Sequence, residues 1–206
     1  MQLPNEKAKL LERLQTESSP TCDDMRRAMA HDDELIRWWG LKRVSEATQC
    51  TTIADLVQSV ERPVLRLDDE KISTIAARAL AAFGYSALDV YLNAESERSS
   101  DRALACLADA LGLLADTRAL PWLERLMAKD SPRVWSWASL GLARLGERAI
   151  PSVVDLLHHA DSMRKAAFLM DALTKIGTPD ALGANQDYLH NCPFPEIRAH
   201  YHAQEE

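Results

Sequence analysis

Apolar and small residues recur along the chain at intervals of three and four, the spacing of one face of a helix. Four stretches superimpose without gaps: EKISTIAARALAAFG, DRALACLADALGLLA, PRVWSWASLGLARLG and MRKAAFLMDALTKIG. Their second residues, Lys71, Arg102, Arg133 and Arg164, are basic, and their last are Gly84, Ala115, Gly146 and Gly177; both series advance by 31. A weaker unit, DELIRWWGLKRVSEA, precedes them at an interval of 36 (Ile36 to Ile72), which implies a longer connection after it. Counted from the first core position, apolar or small residues stand at offsets 0, 3, 4, 7, 8 and 11. In one unit these are Ile72, Ile75, Ala76, Ala79, Leu80 and Phe83; in another, Val134, Trp137, Ala138, Gly141, Leu142 and Leu145. At about 100° per residue they gather on one side of a helix, and the alanine or glycine in mid-stripe lets a neighbour come close.

The ends of these stretches carry their own signals. Asp130-Ser131-Pro132 offers a capping side chain and a proline for the first turn, and Asp161-Ser162 repeats the cap. Gly146 and Gly177 stand where a left-handed residue closes a helix. Between the repeated stretches lie further helical patterns, SALDVYLNA, RALPWLERLMAKD, RAIPSVVDLLHHA and PDALGANQDYLHN, with Pro121 and Pro151 near the starts of theirs. The unit is therefore helix–turn–helix, and because one such pair cannot bury its apolar face alone, the pairs must stack. The pattern predicts an all-α fold, an α-α superhelix of about five stacked helix pairs. It forms one domain over 1–206: a capping helix (Glu6 to Gln15) within 1–20, repeats over 21–190, and a tail over 191–206. Ala76, Ala110, Ala138 and Ala172 are expected to be buried.

An aliphatic start, an alanine-rich middle and a terminal Leu-x-x-Gly resemble HEAT repeats, in the short bacterial form also met in phycobilin-lyase-like proteins. The resemblance covers roughly residues 21–190, with a period of 31 against the roughly 40 of longer HEAT units. Arg43 and Lys165 occupy slots that are apolar elsewhere, so the first and fifth units are expected to pack less well. HEAT-like enzymes leave residues that can be sought. Deoxyhypusine hydroxylases carry several His-Glu dipeptides for a di-iron centre; this chain has none, and His31-Asp32 stands alone. HEAT-like alkyl-purine DNA glycosylases need a basic groove. Bilin lyases have no short signature, so the alternative function is a bilin-lyase-like enzyme or chromophore carrier acting on a tetrapyrrole acceptor protein.

Net charge narrows the partners. With 24 Lys and Arg against 31 Asp and Glu the formal charge is −7, the wrong sign for displacing counterions from a phosphate backbone. No nucleic acid is expected; the charge suits solubility or a basic protein partner. The stretch MQLPNEKAKLLERLQ is charged throughout, unlike a secretory signal, and no apolar run approaches the roughly 18 residues of a membrane helix. Cys22, Cys50, Cys106 and Cys192 show no paired spacing. The expectation is four free thiols in a reducing cytoplasm, with no membrane contact.

No catalytic residue is assigned. His190, Cys192, His200 and His202 crowd together in LHNCPFPEIRAHYH, but the spacing fits no standard ligand set and Pro193 and Pro195 interrupt it, so no metal and no cofactor are expected. His158 and His159 suit a helix C-terminus. Asp23-Asp24, Asp32-Asp33 and Asp68-Asp69 fall at turns and read as helix caps. There is no glycine-rich phosphate loop and no GxSxG.

What remains is a surface. Trp39 and Trp137 share a core slot and Trp122 is expected in the core, whereas Trp38 falls opposite the stripe and Trp135 on its flank. At offset 6 the units carry Lys42, Arg78, Asp109, Leu140 and Asp171, expected to form one exposed ladder on a concave side, basic at one end and acidic at the other. Small residues flank it, with Trp38 as the aromatic anchor and Trp135 second if it is not buried against the neighbouring repeat. The sequence thus reads as a non-enzymatic protein-binding module, such as an immunity protein, an adaptor or an assembly factor.

Overall fold

The computed structural model describes residues 4–16, 20–44, 46–62 and 69–202. The chain is all-α, with no strand among the described residues. Its helices are α1 (Pro4–Thr16), α2 (Cys22–Met29), α3 (Glu34–Val44), α4 (Ile53–Glu61), α5 (Asp69–Ala81), α6 (Tyr85–Glu95) and α7 (Asp101–Leu114). After them come α8 (Leu120–Met127), α9 (Pro132–Arg144), α10 (Ile150–His158), α11 (Met163–Ile176), α12 (Pro179–Asn191) and α13 (Pro195–His202). The repeated stretches are α5, α7, α9 and α11, and the weaker unit is α3. These five pack in chain order, each on the one before and the one after, and form one layer. A second layer holds the intervening helices: α2 on α4, α4 on α6, α8 on α10 and α10 on α12. Across the one remaining step, the Trp122 indole N–H of α8 donates to the Asp89 carboxylate of α6 at 2.7 Å.

The 31-residue interval has a backbone counterpart. Among the described residues, positive φ occurs at Gly84 (78°), Ala115 (50°), Gly146 (67°) and Gly177 (71°), the four final positions of the repeats. Each follows its helix where the chain turns toward the next layer. Ala115 and Gly177 take the left-handed helical conformation and donate their N–H groups to carbonyls of the helix just ended, whereas Gly84 joins its positive φ to an extended ψ of 165°. Three of the four are glycines, which reach positive φ without a Cβ penalty; Ala115 does so against its preference.

Burial follows the stripe. Ala76, Ala110, Ala138 and Ala172 are all buried, as are Leu80, Leu111, Leu142 and Leu173 at offset 8. Helix α7 goes further: every residue from Ala103 to Gly112 is buried, because α4, α5, α6, α8 and α9 all pack around it. Its approach to α9 is closest where two glycines meet. A Cβ on Gly112 would stand 2.6 Å from the Gly141 Cα, and one on Gly141 would stand 2.8 Å from a Leu123 methyl. At 112 only hydrogen fits beside the facing backbone, and at 141 a methyl would have to displace Leu123.

The slots filled by charged residues pack by another route. Lys165 is buried along its aliphatic stem and brings its amino group to Asp161 and over the Trp135 ring. Arg43 donates from Nε to the Leu14 carbonyl of α1 at 2.9 Å and pairs with Glu46. Helix α1 places Leu10 and Leu14 against Ala28 and Ile36, a second small core beside the main one. Of the acidic pairs, Asp33 accepts from the Leu35 and Ile36 N–H groups at the start of α3. Asp24, inside α2, accepts from the Thr21 hydroxyl and from Arg13. Asp68 lies outside the described residues, as do the side chains of Asp69, His200 and His202. Ser162 caps α11 by accepting from the Lys165 N–H, whereas Ser131 makes no such bond ahead of Pro132.

The expectation of four free thiols is corrected. Cys22, at the start of α2, is joined to Cys50, in the turn Thr48–Cys50 that leads into α4, with Cα atoms 4.7 Å apart. The residues lie 28 apart in sequence; they meet because α2 packs on both that turn and α4. Cys106 and Cys192 are buried thiols outside any disulfide.

Two measurements check this description. Gly112→Ala must push α7 and α9 apart and is expected to destabilise by about 1–3 kcal/mol. Ala115→Gly, three residues away, relieves left-handed strain and is expected to stabilise by a few tenths to about 1 kcal/mol after the added unfolded-state entropy is subtracted. Denaturant midpoints of the two variants should move in opposite directions. Separately, alkylation of the unfolded, unreduced protein should modify two of the four cysteines. The chain-entropy account gives a loop of this length about 3–4 kcal/mol, so the double variant Cys22→Ser, Cys50→Ser should lose stability of that order.

Candidate protein-binding face

The seven residues expected on the partner surface do not share one environment. Lys42 of α3, Arg78 of α5 and Asp171 of α11 are exposed, and Leu140 of α9 is half-buried. Asp171 is ion-paired within its own helix to Lys175. Trp38 is half-buried and packs against the main core. Its ring meets Trp39 edge-on, with centroids 5.0 Å apart, and the Lys42 amino group lies 5.4 and 4.7 Å from the two ring centres. The expectation that Trp38 points away from all packing assumed a single apolar stripe. Helix α3 is instead flanked by two cores, with Ile36 in the smaller and Leu41 and Val44 in the larger.

Two of the seven do not serve: Asp109 is a correction, and Trp135 takes the buried of its two expected places. Trp135 is 6% exposed, its indole N–H donating to the Lys129 carbonyl and its ring covered by the Lys165 amino group at 4.7 Å. It fills the joint between α9 and α11 and cannot anchor a partner. Asp109 is 3% exposed, because Arg144 of α9 reaches back across Gly112 and pairs with it. The Arg144 Cδ and Nη1 occupy the space that a side chain at position 112 would need. A regular ladder at offset 6 therefore breaks in the middle: the acidic step is covered, and the arginine that covers it becomes the exposed group.

Asp109 lies under the influence of charges from the helices on either side of its own. Burial pushes its carboxyl above the ordinary carboxylate range; the hydrogen bond and charge of Arg144, and the charge of Arg78 from α5, pull it back only in part. Two guanidinium groups thus act on one carboxylate. Arg78 makes no ion pair among the described residues, and the Arg144 side chain remains 31% exposed. Sequence reading passed over Arg144. The signal was present in the glycine at 112, the one place where an arginine from the next unit has room to cross.

Charge is also divided between the layers. By sequence, α3, α5, α7, α9 and α11 contain eleven lysines and arginines against six aspartates and glutamates. The intervening helices α2, α4, α6, α8, α10 and α12 contain three against ten. The intervening layer is thus acidic, and the layer that carries the expected surface is basic.

Other features offer less. A cleft of about 490 Å³ between α10 and α12 is lined by Val154, Leu157, His158, Ala184, Asp187 and Tyr188 among others. The Tyr188 ring faces His158 at 6.2 Å, and burial raises its phenol above the usual tyrosine range. No nucleophile and base are brought together there. Nδ1 of His159 and of His190 each bond to a carbonyl one turn back in their own helices, at 2.8 Å. No group of three His, Cys, Asp or Glu among the described residues could hold a metal ion. Nor is any single helix among them long and apolar enough to cross a membrane.

A carboxyl that holds its proton more tightly in the folded chain favours folding at low pH, and that contribution is lost as pH rises through its folded-state pKa. Removing Arg144 strengthens this behaviour in Asp109, because the buried charge loses its partner. Arg144→Ala is expected to cost about 1–3 kcal/mol near neutral pH, less than for a fully buried pair because Arg144 is partly solvated. The deficit against wild type should shrink as pH falls through the acid range, while Asp109→Asn should show no such narrowing; denaturation at a series of pH values checks both. No protein-family model and no curated protein matches the chain.

Proposed function

We propose that the chain is a non-enzymatic protein-binding module that uses the outer face of its repeat-helix layer, in the manner of the HEAT-type proteins its repeats resemble. The observation that carries this reading is the exposed Arg78 and Arg144 on an alanine- and glycine-rich layer, with Lys42 on the same layer. A layer of nearest-neighbour helices offers extended area without a deep pocket, which suits a protein partner better than a small substrate. Adaptor, assembly and toxin-neutralising roles all use such a face. The acidic opposite layer keeps the molecule well hydrated.

Capture from extracts of the native cell tests this. Immobilised wild type should retain one protein in stoichiometric amount, and Arg78→Glu should lose it at unchanged melting temperature. Arg198→Glu, an exposed change on α13, should retain it. Retention of nothing by wild type, or equal retention by both variants, removes the reading.

A further inference from the structure

From the charge distribution we infer that the segment seated on this face is acidic, and that one of its carboxylates sits between Arg78 and Arg144. The inference rests on the protein-binding reading above and adds the chemistry of the partner. It reverses what the net charge alone suggested.

Three side chains set the local balance: Arg78 from α5, Asp109 from α7 and Arg144 from α9. Asp109 is buried and committed to Arg144. Arg78 stands at the same repeat offset as Asp109 on the neighbouring helix α5, so with Asp109 committed to Arg144 the surface above it is left with an excess of positive charge. Arg144 uses Nη1 on Asp109, at both the carboxylate and the backbone carbonyl. Its Nε and Nη2 bond to no described residue, and its stem is held against Gly112. A guanidinium already held in place loses little freedom when a carboxylate arrives, and the two donors on one edge match a carboxylate's two oxygens. Arg78 is exposed on the neighbouring helix and supplies the second charge. The surroundings are low: Ala81, Ser136 and Ala143 are small and half-buried, so an extended backbone can come near.

A basic partner is disfavoured here, since its lysines and arginines would meet like charge. A nucleic acid is disfavoured on number. Duplex binding draws on roughly 6–10 phosphate contacts, whereas the exposed cations here are Lys42, Arg78, Arg144 and Lys175, the last already ion-paired with Asp171. A long polyanion would also feel the −7 of the whole chain.

Fluorescence anisotropy with the full chain at low salt tests the inference, using three labelled probes: octaglutamate, octalysine and an eight-nucleotide single-stranded thymidine oligomer. Octaglutamate should bind best and weaken as salt rises. Arg78→Glu should weaken it by about tenfold or more and give octalysine the advantage. Arg198→Glu should leave it unchanged. The inference is overturned if octalysine or the oligomer binds wild type more tightly than octaglutamate. It is equally overturned if octaglutamate does not bind, or if its affinity is the same in Arg78→Glu or falls as much in Arg198→Glu. If these fail while capture from extracts still depends on Arg78, the face binds a protein of other chemistry. If both fail, the protein-binding reading goes with it.

Discussion

Helices α7 and α9 touch backbone to backbone where Gly112 meets Gly141, and much of the molecule is arranged around that contact. A methyl group at position 112 would stand against the Gly141 Cα, so the spacing of the two helices there is set by main-chain atoms rather than by adaptable side chains. The close approach lets α7 be buried along ten consecutive residues. It also opens the channel through which Arg144 crosses to Asp109. Packing and electrostatics therefore share one origin. The absent side chain at position 112 creates both the tight joint and the space for a guanidinium above it.

The repeat was legible because it is written in properties that depend on local chain geometry. An apolar residue at a given offset faces the same way in every unit, and a residue that must end a helix in the left-handed region does so wherever the unit ends. Even Ala115 follows its glycine counterparts, which shows that position in the unit outweighs the preference of the residue. Charged residues in core slots were harder to read. Lys165 and Arg43 looked like packing faults, yet long aliphatic stems fill apolar space while their heads reach polar partners.

What depends on the next unit was not legible. Whether Asp109 is exposed is decided by a side chain 35 residues away, and whether Trp135 is exposed is decided by Lys165 and the spacing of α9 and α11. Helical periodicity gives the direction of a side chain but not what stands in front of it. Cys22 and Cys50 illustrate the same limit: their separation in sequence says nothing until α2 and α4 are known to be neighbours. Trp38 was placed opposite one core because the second, between α1 and α3, has no counterpart in the other units.

The division of charge between the two layers makes the molecule electrically two-sided: by their sequences the repeat helices carry an excess of five positive charges and the intervening helices an excess of seven negative ones. Salt damps each over a screening length of about 8 Å at physiological ionic strength. A charged group close to one layer therefore meets the sign of that layer rather than the −7 of the whole chain. Net charge and local charge are separate properties of this molecule, and an isoelectric point describes only the first.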